Sequence, residues 1–188
     1  MSLRLIKTVV TSPSGPYGLL VVPAVAAQAA GRLNYNDLLP SPTLRDSIER
    51  VVRPLMPPGT EVGVHAPGYQ GIGVVATVIP ARALLPSERS ALKQDAEEAL
   101  YAYFNPVGGG PDHTGWPFGR PVHLGDAYSV LDRLPGVGRV RTVLLYPMSV
   151  LTGERGRETE RVDVTDLSTV FSVDHQVTVE DLGQGQIR

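Results

Sequence analysis

Apolar positions along the chain change their spacing several times, and each change predicts an element. Leu3 to Val10 is a short extended run, followed by Thr11-Ser12-Pro13-Ser14-Gly15-Pro16, whose composition predicts a turn or linker. Tyr17 to Val22 is a compact apolar run ended by Pro23 and predicts a buried strand. Ser41-Pro42 opens a helix, because Ser is a good N-cap and Pro is tolerated at the first helical position. Leu44, Ile48, Val51, Val52 and Leu55 then share one helical face. Pro54, Pro57 and Pro58 end it, since a proline ring clashes with a continuing helix.

Glu61 to His65 and Tyr69 to Ile79 predict a strand pair joined by Ala66-Pro67-Gly68. Both alternating sets of the second run are mostly apolar, which places it at the centre of a sheet. A second helix begins at Pro86-Ser87, with Leu92, Ala96, Ala99, Leu100 and Tyr103 as its apolar stripe, and stops at Asn105-Pro106. At ~1.5 Å per residue it is about 25 Å long. A glycine-rich loop, Val107 to Arg120, follows. Asp126 to Leu134 predicts a short helix ended by Pro135-Gly136. Val140 to Tyr146 is a β-branched strand, and Gly153 to Thr159 a polar turn. Val162 to Val164 and Gln176 to Val179 are short strands expected to close a hairpin, and residues 183–188 a frayed tail.

Helices and strands mix without regular alternation. That favours an α+β fold with mixed, mainly antiparallel sheets, helices packed on one face, in two small units. The expected division is an N-terminal extension at 1–16, a first unit at 17–85, a second unit at 86–182 carrying the glycine-rich loop, and the tail.

Composition narrows the function. Of 188 residues, 42% are apolar and 19% charged, enough to build a core and too balanced for a disordered chain. The formal net charge is −2 and no run of Lys or Arg exists, so no nucleic-acid footprint is visible. There is no cysteine, which excludes disulfides and thiolate metal sites. No stretch reaches the ~18 apolar residues of a membrane span. The longest candidate, Leu19 to Ala30, is broken by Pro23 and Gln28 and lacks a signal peptide's basic flank. Synthesis in a cytosol without export is the expectation.

Candidate chemistry is sparse. Gly108-Gly109-Gly110 has no following Gly-Lys-Ser/Thr and no strand leading into it, and it trails a helix C-terminus whose partial negative charge repels phosphate. Of His65, His113, His123 and His175, only His113 and His123, with Asp112, fall in one region, and no H-x-x-x-H or H-E-x-x-H spacing exists. Exposed or capping histidines are the expectation. No Gly-x-Ser-x-Gly elbow surrounds Ser87, Ser129, Ser149 or Ser172. Glu97 and Glu98 are adjacent on a helix and point apart. No catalytic residue, cofactor or metal is therefore expected. The alternatives carried forward are a small metal-dependent hydrolase using Asp112, His113 and His123, and a ferredoxin-like small-molecule binding module.

The unusual feature is Gly115-Trp116-Pro117-Phe118-Gly119-Arg120, which holds the only Trp. Its aromatics can anchor the loop onto its own domain, or dock a neighbour, since Trp and Arg are favoured interface residues.

At this loop the chain resembles a known family. Asn105-Pro106, the run Gly108-Gly109-Gly110, Gly115 to Arg120, and Pro135-Gly136-Val137 before a strand stand in the order found in the C-terminal part of the baseplate J-like family. That family belongs to contractile phage tails and extracellular contractile injection systems. More loosely, "GLLVVPA" and "LRDSIERVVRPLMPPGTEVGVHAPGYQGIGVVATV" resemble its upstream strand, helix and strand pair, so the resemblance runs from Tyr17 to Val179. The chain departs from the family at Met56-Pro57-Pro58, where members carry an Arg-rich helix end, and members extend further on the N-terminal side. The resemblance implies a wedge subunit without enzymatic activity, assembled in the bacterial cytoplasm into a six-fold ring. Its implied partners are copies of itself, other wedge proteins, and the spike hub and sheath or tube. Gly108, Gly109, Gly110, Gly115, Trp116, Pro117, Phe118, Gly119 and Arg120 would form its interaction or architectural loop.

Overall fold

The computed structural model describes residues 3–10, 17–25 and 31–181. The expected linker at 11–16 and the tail at 183–188 lie outside these residues.

Two β-sheets carry the fold, and it is of the α+β class. In the first, β1 (Leu3–Val10) pairs antiparallel with β2 (Tyr17–Pro23), and β2 pairs parallel with β3 (Val62–His65). Helix α1 (Pro42–Val52) covers it. Ser41 caps this helix, its Oγ accepting from the Leu44 N–H at 3.2 Å. Leu44 and Ile48 pack with Leu19, Val21 and Val64, and Val52 closes the cluster. Val51 and Leu55, expected on the same face, are instead 68% and 78% exposed. Pro54 has no N–H for the helix ladder, so the chain tightens into a single 3-10 turn at Arg53–Leu55 and carries Leu55 off the line.

The second sheet has the order β6-β4-β8. Its centre is β4 (Gly68–Pro80), flanked antiparallel by β6 (Val137–Met148) and parallel by β8 (Ser168–Val179). The two apolar sets of β4 predicted this central place. Two expected pairings are not formed. β3 and β4 do not form a hairpin: β3 joins β2, and β4 crosses into the other sheet. Only Ala66 and Pro67 separate them, and a thirteen-residue strand buried along both halves needs a partner on each side. Nor do Val162 and Gln176 to Val179 close a hairpin. β7 (Arg161–Val162) pairs with β5 (Val122–His123), and β8 begins at Ser168, opposite Gly68. The β6-β4-β8 sheet therefore draws strands from both sides of residue 85.

Helices α2 (Pro86–Tyr103) and α3 (Leu124–Asp132) cover one face of this sheet. α3 starts two residues before the expected Asp126, because that side chain is its cap: Oδ2 accepts from the His123 N–H at 2.9 Å. The stripe of α2 buries Leu92, Ala96 and Leu100 as expected. Tyr101 is buried with them, whereas Ala99 and Tyr103 are only partly covered. A third cluster, with Val22, Leu38, Val107 and Phe171 at its centre, fills the space between the two sheets.

α2 also protects the outer edge of β8. The Glu97 carboxylate accepts from the Val177 N–H and the Tyr101 hydroxyl from the His175 N–H, both at 3.1 Å. Side chains thus occupy hydrogen-bonding groups that would otherwise template another strand.

Candidate functional site

The glycine-rich loop folds back onto the C-terminus of α2. The last carbonyls of a helix have no partner within it. Here the loop supplies one for the last residue, Gly110 N–H donating to the Tyr103 carbonyl at 2.7 Å, and just beyond the helix end Gly109 and Trp116 N–H donate to the Asn105 carbonyl at 3.0 and 3.1 Å. The Asn105 side chain adds to this, its Oδ1 accepting from Val107 and Gly108 N–H at 2.7 and 3.1 Å. This close wrapping is why glycine stands at two positions. A Cβ on Gly109 would collide with the Tyr103 carbonyl oxygen. Gly115 has φ +103°, and its Cβ would collide with the Pro106 carbonyl oxygen. The run that resembles a phosphate loop is a helix cap.

Trp116 is fully buried. Its ring meets Phe104 at 5.4 Å and Tyr103 edge-on at 5.8 Å between centroids. Nε1 donates to the Arg120 carbonyl at 3.0 Å, and the Trp116 carbonyl accepts from Thr169 Oγ1 at 3.0 Å. The Arg120 guanidinium lies 5.0 Å from the Trp116 ring centroid and binds Asp126 Oδ1 at 3.1 Å. Phe118 packs into the cluster between the sheets. The six residues from Gly115 to Arg120 thereby tie the end of α2, the start of α3 and the start of β8 together. The indole offers no surface to a partner; what the loop exposes is Pro111 to Thr114.

His113 and His123 are exposed. Among the described residues, no three His, Cys, Asp or Glu side chains converge where a metal could sit, so Asp112, His113 and His123 do not form a site. His65 is exposed too.

His175 corrects the expectation of exposed or capping histidines: it is 1% exposed. Its Nδ1 accepts from the Val74 N–H at 3.1 Å, and its Nε2 lies 2.9 Å from Ser172 Oγ. Ser172 donates onward to the Phe104 carbonyl at 3.2 Å. A Ser and a His at this distance resemble a catalytic pair. The hydrogen bonds assign the opposite roles: Nδ1 is an acceptor, so the ring proton sits on Nε2 and is donated to Ser172. A histidine already protonated at that nitrogen cannot activate the hydroxyl. Burial, reinforced by Arg32, pushes its pKa down to about 3, so it stays neutral. Burial likewise raises the Tyr101 hydroxyl above its ordinary range. The network is structural. It holds the β4–β8 pair at the register shift between Ile72 and Gly73. The alternation of His175, Val177 and Val179, all buried, is the signal that marks this histidine as inward-facing.

No family model and no curated protein matches the chain. Among solved structures it is similar to a chain of the anti-feeding prophage (AFP) baseplate, determined by cryo-EM with 6-fold symmetrisation. The TM-score is 0.47 at 13% identity, over 90% of this chain and 33% of that one. The chain thus spans about a third of the length of that structural neighbour.

Proposed function

We propose that this protein is a non-enzymatic structural component of the baseplate of a contractile injection system or contractile phage tail, specifically a wedge subunit of the baseplate J-like type. The observation that carries this reading is the segment Asn105 to Val137. Its Asn-Pro, Gly-Gly-Gly and Gly-Trp-Pro-Phe-Gly-Arg elements stand in the family's order. In the fold each has a distinct mechanical role. Together they cap α2, fill the core, and pin α3 through Arg120 and Asp126. A segment whose unusual residues all serve architecture suits a load-transmitting part. In this reading the subunit assembles in the bacterial cytoplasm, in a ring of its own copies and other wedge proteins around the spike hub, connected to sheath or tube.

The test is to place an epitope tag on the chain in its native host, purify contractile particles and image them. The tag is expected at the baseplate end, in a copy number that matches the ring. Particles that form normally and contain no tagged chain would overturn the proposal.

A further inference from the structure

Between β2 and α1 the residues Gly31 to Pro40 run as a strap over the last turn of α2 and the starts of β4 and β8. At one end Gly31, with φ +73°, comes so close to α2 that a Cβ on it would stand 3.4 Å from the Tyr101 Cβ. The Arg32 guanidinium lies 4.8 Å from the Tyr101 ring centroid. Leu33, Tyr35 and the fully buried Leu38 then pack into the cluster between the sheets. Tyr35 meets Tyr69 and Phe171 edge-on, at 5.6 and 5.8 Å between centroids. The Tyr69 hydroxyl donates to the Leu38 carbonyl at 3.0 Å.

The strap keeps its backbone hydrogen bonds to itself. Asn34 Oδ1 accepts from the Asn36 N–H at 2.9 Å, and the Asp37 and Leu39 N–H groups donate to the Asn34 and Asn36 carbonyls at 3.1 and 3.3 Å, closing a 3-10 turn at Tyr35–Leu38. Arg45 Nε donates to the Pro40 carbonyl at 3.0 Å and ties the strap's far end to α1. Among the described residues the strap makes no ion pair, and no backbone–backbone hydrogen bond to the second sheet or its helices. The glycine-rich loop at the same end of α2 is held differently, by Gly110 N–H on the Tyr103 carbonyl. Lifting that loop strips a helix end of its partner. Lifting the strap leaves its local bonds intact and gives up side-chain contacts and one hydroxyl bond. The packing beneath it is also incomplete: a hollow of about 340 Å³ remains between the strap and Tyr101, Phe171, Ser172 and Val173. A segment without backbone bonds to its support, over a void, belongs to the low end of local stability.

We propose that the strap is a releasable clasp. Gly31 to Leu39 lifts away as a unit while both sheets stay folded, and this uncovers Tyr101, Phe171 and Ser172. Because the strap runs into α1, its release also loosens the hold of the first sheet on the second. The fold therefore has a closed and a lifted state, and a ligand that contacts the uncovered residues would select the lifted one.

The experiment is native-state proteolysis of the full chain with trypsin, reading initial rates at two bonds by mass spectrometry over a series of urea concentrations below the unfolding transition. Trypsin needs an extended substrate, so cleavage after Arg32 reports the lifted strap and cleavage after Lys93, inside α2, reports global unfolding. The bond after Arg32 is expected to be cut faster and with a much smaller urea dependence, because lifting exposes little surface. Tyr69→Phe, which removes the bond to the Leu38 carbonyl, is expected to speed cleavage after Arg32 about fivefold. Tyr35→Ala should speed it at least about tenfold. The deciding arm is Leu131→Ala, in the core far from the strap and intact in the lifted state. It should speed cleavage after Lys93 at least about thirtyfold and leave Arg32 unchanged; Leu131→Val serves if the truncation unfolds the chain. Equal urea dependence at the two bonds, cleavage after Arg32 that ignores both tyrosine substitutions, or cleavage after Arg32 that rises with Lys93 in the Leu131 variant would each overturn the proposal.

Discussion

Trp116→Ala is expected to be mainly a stability lesion, and its size follows from where the ring lies. The side chain is fully buried against Phe104 and Tyr103. Truncating a core Trp to Ala costs about 3–5 kcal/mol, from lost transfer energy plus the cavity left behind. Arg120 stacked on the ring adds ~0.5–1 kcal/mol at so exposed a guanidinium. The Nε1 bond to the Arg120 carbonyl contributes about 1 kcal/mol net. These contributions overlap, and the cavity dominates, so the expected loss is about 4 kcal/mol. Against a total of ~5–15 kcal/mol for a folded domain, that is a large fraction. At ~2–4 °C per kcal/mol for a chain of this size, the melting temperature should fall by about 10 °C. Urea unfolding followed by far-UV circular dichroism measures it, since the substitution removes the only Trp and with it the fluorescence probe. A loss below about 1 kcal/mol would show that the ring does not hold the core, and the architectural account of the loop would fail.

Three further outcomes follow from the same geometry. His175 has a folded pKa of about 3, below its unfolded value, so the unfolded chain takes up the proton first. The stability it contributes is full above ~6.5 and lost toward pH 3, at about 1.4 kcal/mol per pH unit. Unfolding free energies from urea titrations at pH 7 and 5 should therefore differ by ~2 kcal/mol more for wild type than for His175→Gln, and equal pH dependences would refute this. Gly115→Ala forces a side chain into φ +103° and onto the Pro106 carbonyl. It should cost at least about 2 kcal/mol in thermal or urea unfolding; a neutral effect would mean the loop is not held as described. Tyr101→Phe leaves the buried His175 N–H without an acceptor and should cost ~1–3 kcal/mol, measured in the same way.

The helices are legible in the sequence because local signals mark their ends: Ser41-Pro42 and Pro86 at the starts, Asn105-Pro106 and Pro135-Gly136 at the stops. The strands are legible as strands, yet their pairing is not. Nothing local in Gly68–Pro80 says that its parallel partner begins at Ser168, a pairing set by sheet burial rather than by turns. The loop from Gly108 to Arg120 stands out by composition, but no period runs through Gly and Pro to show which way Trp116 faces. Val51 shows the converse: a sound helical spacing still leaves it exposed, because spacing names a face without saying how far the opposing sheet extends. His175 is readable from the alternation around it, though its partners Val74 and Tyr101 are distant in the chain.

The parallel pairing of β4 with β8 has a consequence for how the molecule is made. Gly68 to Val78 must wait for Ser168 to Val179 to be synthesised before the sheet can close. Contacts this far apart in the chain raise contact order and slow folding, because loop-closure entropy is lost before the contacts form. During translation β4 leaves the ribosome long before β8, an apolar strand with one future edge still open. The nascent chain is most vulnerable to aggregation in that interval. Substitutions that weaken β8 should therefore reduce soluble yield more than their effect on the finished fold implies.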